Sequence, residues 1–340
     1  MKIYQTTEPE SIRSIAKKHC VSERALAALN GLTPRGVVPA GVSLLLPLGA
    51  RGGGSCGRLY PEMNEERAEI LVLAEETPRR TSLLTEGLPG MMLASGGVLT
   101  RRGFSRLRRC PPSDVPVCLA AGAWGGECPP PSDIAEALLD AGYRGLLLPV
   151  IHLSGHRLVS ALPELIAAFA ERGLIFALAL PDSLFLRQLP LFSCLDTLPD
   201  FFRLTPPAWE MPLEVRAREL ADATDLTLRR RLLLSLPSGA AFTTHEKSAP
   251  LPYGEALRIV SAAGARPRRE DILMASVTRG KSGGTVYMED PVSLLAGLMR
   301  LSVSKFGGVA LSEDSAPFAG EMIRRLFRTA GGKGCARSQT

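Results

Sequence analysis

Two charge-free runs, Leu146–Ile151 and Leu174–Leu180, limit what this chain can fold into. Each is entered from an amphipathic helical pattern, Asp133–Ala141 ahead of the first and Ser160–Arg172 ahead of the second. Gly142 stands where a helix C-terminal glycine belongs, because a residue without a Cβ takes the left-handed turn at little cost. A short run without charge suits a strand buried on both faces, and helix, run, helix, run is the grammar of parallel β/α units.

The same runs recur through most of the chain. Glu69–Ala74, Gly90–Ser95, Pro116–Ala121, Gly145–Ile151, Leu174–Leu180, a weaker Phe201–Leu204, Arg231–Leu236 and Gly308–Leu311 read as strands. Helical patterns also cover Pro212–Thr224, Tyr253–Ala263 and Asp290–Ser304. Eight units predict an α/β fold with a closed (β/α)8 TIM-like barrel. An open doubly wound sheet is the alternative, although no Gly-x-Gly-x-x-Gly follows the first strand. The 340 residues suffice for such a barrel plus a small module, and a hydrophobic content of 45% fills a large core.

Composition narrows the partners. The net charge of +6 is modest, aromatics are 5%, and no basic helix is interleaved with stacking residues, so nucleic acid is not expected. Seven cysteines are present with no C-x-x-C spacing, so they read as reduced thiols, with neither a metal site nor a disulfide framework and no cofactor. The start lacks an apolar segment of the signal-peptide kind and no run is long enough to span a bilayer, so the expectation is cytoplasmic synthesis without membrane insertion.

The first 48 residues form a separate β-α-α-β unit, with strands at Lys2–Thr6 and Val42–Leu46. Tyr4, Thr6, Pro9-Glu10-Ser11-Ile12, Ile15-Ala16, Val21, Leu26, Leu29-Asn30-Gly31-Leu32, Val38, Gly41, Leu45 and Pro47 give it a pattern that resembles the LysM domain; Pro-Glu-Ser stands where that family usually has Gly-Asp-Thr. The resemblance implies binding of GlcNAc polymers such as peptidoglycan or chitin. The implied groove lies between Thr7, Glu8, Pro9, Glu10, Ser11 and Ile12 on one side and Leu32, Thr33, Arg35 and Val37 on the other. Residues 49–58 are rich in glycine and read as a flexible linker that leaves module and barrel to move independently. The barrel then spans 59–330, and 331–340 read as a disordered tail.

The order of pieces resembles the family 18 glycoside hydrolases, in the branch where LysM modules precede the barrel and the protein acts on spore cortex peptidoglycan. The residues that carry this are Gly142-Tyr143-x-Gly145, Ala179-Leu180-Pro181, Tyr287-x-Glu289-Asp290-Pro291 and Gly307-Gly308-Val309-Ala310. The family motif Asp-Gly-x-Asp-x-Asp-x-Glu falls on Arg144–Ile151 here. The acid position is Ile151, the position that holds the acetamido group is Pro149, and the aspartate before it is Leu147. The Met-x-Tyr-Asp of strand six falls on Leu204–Ala208, where Pro207 supplies neither group, and Ser312 lies near the usual strand-eight tryptophan. Leucine, proline and isoleucine neither donate a proton nor orient an amide.

The expectation is therefore a degenerate barrel in a peptidoglycan-binding protein of the spore or cell envelope. An active N-acetylglucosaminidase with relocated acids is the alternative, with Glu127, Glu210 and Glu313 as fallback acids and Glu75 and Glu76 also near the rim. Trp124 is a possible sugar-stacking residue, and His152 and His156 read as loop histidines. A structural coat component, partnered by spore-coat proteins, is the third reading.

Overall fold

The computed structural model describes residues 1–50, 58–59, 71–75, 90–100, 102–122, 129–150, 155–206, 211–236, 239–270, 272–279, 282–312 and 315–327. Eight parallel strands close into a barrel: β1 (Leu71–Glu75), β2 (Gly90–Ser95), β3 (Val117–Ala120), β4 (Gly145–Pro149), β5 (Ile175–Pro181), β6 (Phe201–Thr205), β7 (Leu232–Ser235) and β8 (Gly308–Leu311). Each of the eight sequence runs supplies one of them, and β8 pairs back onto β1 to close the ring.

Strand side chains alternate, so each barrel strand serves two cores. Leu73, Leu93, Cys118, Leu147, Ala177, Phe201, Leu233 and Ala310 fill the interior. Their neighbours Val72, Leu119, Leu146, Leu148, Phe176, Leu178, Phe202, Leu234 and Val309 point outward into the helical shell. Glycine is required where the strands come closest. A Cβ on Gly145 would lie 2.5 Å from the Ile175 carbonyl oxygen and 3.0 Å from Cys118 Sγ, and one on Gly308 would run into the Leu71 carbonyl.

The helices Pro131–Ala141, Leu213–Ala223 and Pro291–Val303 fall where the periodicity put them. Between β7 and β8, however, the chain adds an antiparallel sheet that the barrel reading omits. Its five strands run in the order Ser248–Leu251, Ala240–Thr243, Ser282–Met288, Leu273–Arg279, Arg268–Arg269. Helix Tyr253–Ala262 is therefore part of this insertion and not a simple crossover.

The N-terminal unit has the expected order. Ile3–Gln5 pairs with Ser43–Leu45, helices Ile12–Lys18 and Glu23–Leu29 follow one another, and Glu10–Ser11 pairs with Val37–Val38. Ser11 and Ser22 cap the two helices by accepting the Ser14 and Ala25 amides. Buried Asn30 locks the second helix to the sheet: Nδ2 donates to the Leu26 and Leu45 carbonyls, and Oδ1 accepts the Leu45 amide.

Two features differ from a free module on a flexible tether. Arg58–Leu59 adds a third strand against Ile3–Gln5, so chain beyond the glycine-rich stretch belongs to the module's sheet. The module is also seated on the barrel. One hydrophobic cluster runs from Ile3 through Leu46 into Leu294, Phe318 and Phe327. A Cβ on Gly31 would strike Pro317, and one on Gly254 would strike the Gly31 carbonyl. Arg325 Nη1 donates to the Leu46 carbonyl at 2.9 Å.

Asp290 is the polar centre of this junction and is fully buried. It caps helix Pro291–Val303 by accepting the Ser293 amide, accepts the Ser43 amide of the module at 3.1 Å, and is bound by Arg269. Asp290→Ala removes the cap and leaves the Ser43 amide unpaired, so an expected loss of about 2 kcal/mol appears in urea unfolding. Hydrogen exchange at Ser43 is expected to quicken with it, while Asp290→Asn, which can still cap, costs less.

Candidate functional site

The C-terminal mouth of the barrel is where strand ends deliver side chains in this architecture. Strand parity puts Leu147 and Pro149 on the inner face of β4. Leu147 is 2% exposed inside the interior cluster, and half-buried Pro149 pairs with Ala179 of β5. Neither offers a proton or an acceptor side chain. Ile151, Trp124, Glu127, His152, Pro207, Glu210 and Glu313 lie outside the described residues, as do Glu76 and residues 331–340.

Among the described residues the mouth holds a charged group at Arg203, two residues past Phe201 and so on the same inner face of β6. Its Nε donates to Ser235 Oγ of β7 at 3.1 Å, and its Nη2 donates to Glu75 Oε1 at the end of β1 at 2.8 Å. The Arg203 side chain is 13% exposed and that of Glu75 35%, so the pair lies at the mouth with the guanidinium deeper. Among the eight strand-end residues Glu75 is the one carboxylate, and an arginine occupies it.

A second arginine braces the same rim from outside. Arg216, on helix Leu213–Ala223, is 1% exposed. It grips Asp182, just past β5, with Nε to Oδ2 at 2.7 Å and Nη2 to Oδ1 at 3.1 Å. Its remaining donors reach the Ser235 carbonyl at 2.6 Å and the Leu204 carbonyl at 3.3 Å. Ser235 thus meets Arg203 through its hydroxyl and Arg216 through its backbone. Nearby Glu289 is buried and accepts the Leu213 amide at 3.0 Å. Burial pushes its carboxyl up to about 7, against the opposing pull of the Leu213 amide and Arg216, with Asp290 adding to the rise.

On the module, the residues implied for the groove separate into two groups. Thr7, Glu8, Pro9, Thr33 and Arg35 are exposed, Val37 is 50% exposed, and Leu32 is half-buried against the insertion near Gly254. Glu10 and Ile12 are corrections to the expected set. Glu10 is buried and bound by Tyr4 Oη and Lys18 Nζ, and Ile12 is fully in the core. That enclosure, with Glu10 alongside, pushes the Tyr4 hydroxyl up to about 12. Ser11 spends its hydroxyl as a helix cap. The face that remains for a ligand is Thr7–Pro9 with Thr33, Arg35 and Val37.

Among the described residues no three His, Cys, Asp or Glu side chains cluster as a metal would need, and no helix is long and apolar enough to cross a membrane. The four described cysteines, Cys20, Cys110, Cys118 and Cys194, are free thiols.

The order of these parts has counterparts among solved structures. The fold resembles that of the spore cortex-lytic enzyme SleL. The Bacillus megaterium QM B1551 enzyme matches with a TM-score of 0.66 at 12% identity, over 96% of this chain and 98% of that one. The Bacillus cereus enzyme matches at 0.55 and 10% identity, over 96% and 86%. A chitinase from Chromobacterium violaceum matches at 0.56 and 14% identity over 75% of this chain and 98% of its own. No family model matches the sequence, and no curated protein matches it.

Arg203, Asp182 and Arg216 went unseen in the sequence. A lone arginine inside an otherwise apolar strand is the signal that marks Arg203. Arg216 sits on an amphipathic helix where any arginine reads as solvated.

Proposed function

We propose that this chain is a GlcNAc-polymer-binding protein of the spore or cell envelope, with peptidoglycan as its ligand and a family 18-like barrel that does not hydrolyse. The observation that carries this reading is the inner face of β4: Leu147 and Pro149 stand where a sugar-cleaving mouth of this kind needs carboxylates, and the strand-end carboxylate Glu75 is held by Arg203. Hydrolysis at an acetamido sugar needs a carboxyl to protonate the leaving oxygen and either a second carboxyl or an oriented acetamido group. The SleL likeness, which spans module and barrel together, supports a glycan of the cortex type and a LysM-like role for the first 48 residues. Spore-coat proteins are the further partners this reading allows.

The test has two arms. Purified protein incubated with cortex fragments is expected to release no reducing ends above the blank; turnover that Glu75→Gln, Glu127→Gln, Glu210→Gln or Glu313→Gln abolishes would establish the hydrolase instead. On insoluble peptidoglycan the protein is expected to be retained, and Pro9→Glu with Val37→Glu on the exposed module face is expected to lower retention about tenfold, the loss of roughly 1.4 kcal/mol of contact. Unchanged retention removes the module from the binding role.

A further inference from the structure

We infer that the barrel mouth is an anion subsite in which Arg203 binds the carboxylate of an acidic saccharide and Glu75 occupies that position while no ligand is bound. The inference rests on the glycan-binding reading above and names the sugar class the mouth would take. Arg203 is charged, stands on the inner face, and is 13% exposed, so it is largely stripped of water yet still reachable from the mouth. A guanidinium carries five N–H donors in a planar fork that suits a carboxylate. Here Nε is engaged by Ser235 and one Nη2 proton by Glu75, while Nη1 makes no hydrogen bond among the described residues.

Ser235 is itself held, since its carbonyl accepts from Arg216 and its hydroxyl accepts from Arg203 Nε. The guanidinium plane is therefore oriented before any ligand arrives, and Nη1 and Nη2 are the edge left for one. Glu75 is the more exposed partner. It ends β1, is 35% exposed, and holds Arg203 from the solvent side. An incoming carboxylate can take its place with no new charge buried. The neutral GlcNAc polymer has no such group, whereas a sugar bearing a lactyl or uronic carboxylate has. Displacing an internal carboxylate lowers the apparent affinity by the fraction of time it occupies the site.

Isothermal titration of the full-length chain with GlcNAc–MurNAc disaccharide, which carries a carboxylate, and with chitobiose, which does not, tests this. The acidic disaccharide is expected to bind roughly tenfold more tightly, as a charge-assisted contact would give. Arg203→Met is expected to erase the preference, the acidic disaccharide then binding no more tightly than chitobiose. Glu75→Gln is expected to widen the preference for the acidic sugar over chitobiose severalfold, an effect that a merely structural ion pair would not produce. Equal binding of the two sugars by the native chain, or a Glu75→Gln preference equal to the native one, overturns the inference and leaves the glycan-binding reading intact. Binding of neither sugar overturns both. If Arg203→Met fails to fold, the Glu75→Gln result alone decides.

Discussion

Asp182→Ala is expected to destabilise the protein by about 3–5 kcal/mol, the range for removing one member of a buried ion pair. Arg216 is 1% exposed and its Nε and Nη2 both engage Asp182, so the substitution strands a guanidinium away from water with two backbone carbonyls as its main company. Those carbonyls, Leu204 and Ser235, sit at the ends of β6 and β7, so the damage extends to the barrel rim. Guanidinium-chloride unfolding measures the loss. Asp182→Leu combined with Arg216→Met is expected to cost less than the sum of the two single changes, because no charge is then left unpaired. A double variant as unstable as that sum would show that the pair does not act as a unit.

The second large effect depends on pH. Glu289 is enclosed, and burial lifts its carboxyl from 4.5 to about 7. Below about pH 4.5 the group is protonated in folded and unfolded chains alike, and folding bears no ionisation cost from it. As pH rises from there toward 7 the unfolded chain sheds the proton while the folded chain retains it, so stability falls. Above about 7 the penalty is complete. Each tenfold change in a proton's binding constant is worth about 1.4 kcal/mol, so the full penalty is about 3 kcal/mol. Glu289→Gln keeps the acceptor for the Leu213 amide and removes the ionisation. The variant is expected to match the native protein near pH 4.5 and to exceed its stability by that amount at about pH 8, in denaturant midpoints taken across the range. Parallel curves for the two proteins would sink the prediction.

The barrel was legible because eight apolar runs each bury both faces, and that pattern survives in a bare string of letters. The weakest run, Phe201–Leu204, was weak for an informative reason: Arg203 interrupts it, and that interruption is a charged group of the mouth. The inserted sheet was not legible. Ser248–Leu251 is largely exposed and Ser282–Met288 carries two glycines just after its first residue, so neither presents the alternation that marks a half-buried strand. The module's fold could be read from its residues, but its seating could not. Gly31, Ser43 and Asp290 lie far apart in sequence, and a glycine-rich tether says nothing about the surfaces at either end. Glu10 and Ile12 matched a groove by position, yet their side chains turn inward.

The division of every barrel strand between an inner and an outer set of neighbours has an evolutionary corollary. Residues such as Leu146 and Leu148 answer to the helices, while Leu147 answers to the lumen. A luminal position can therefore change, letter by alternate letter, while the outer positions keep their neighbours in the helical shell. A chemistry can be lost, or a new preference acquired, without the fold being renegotiated.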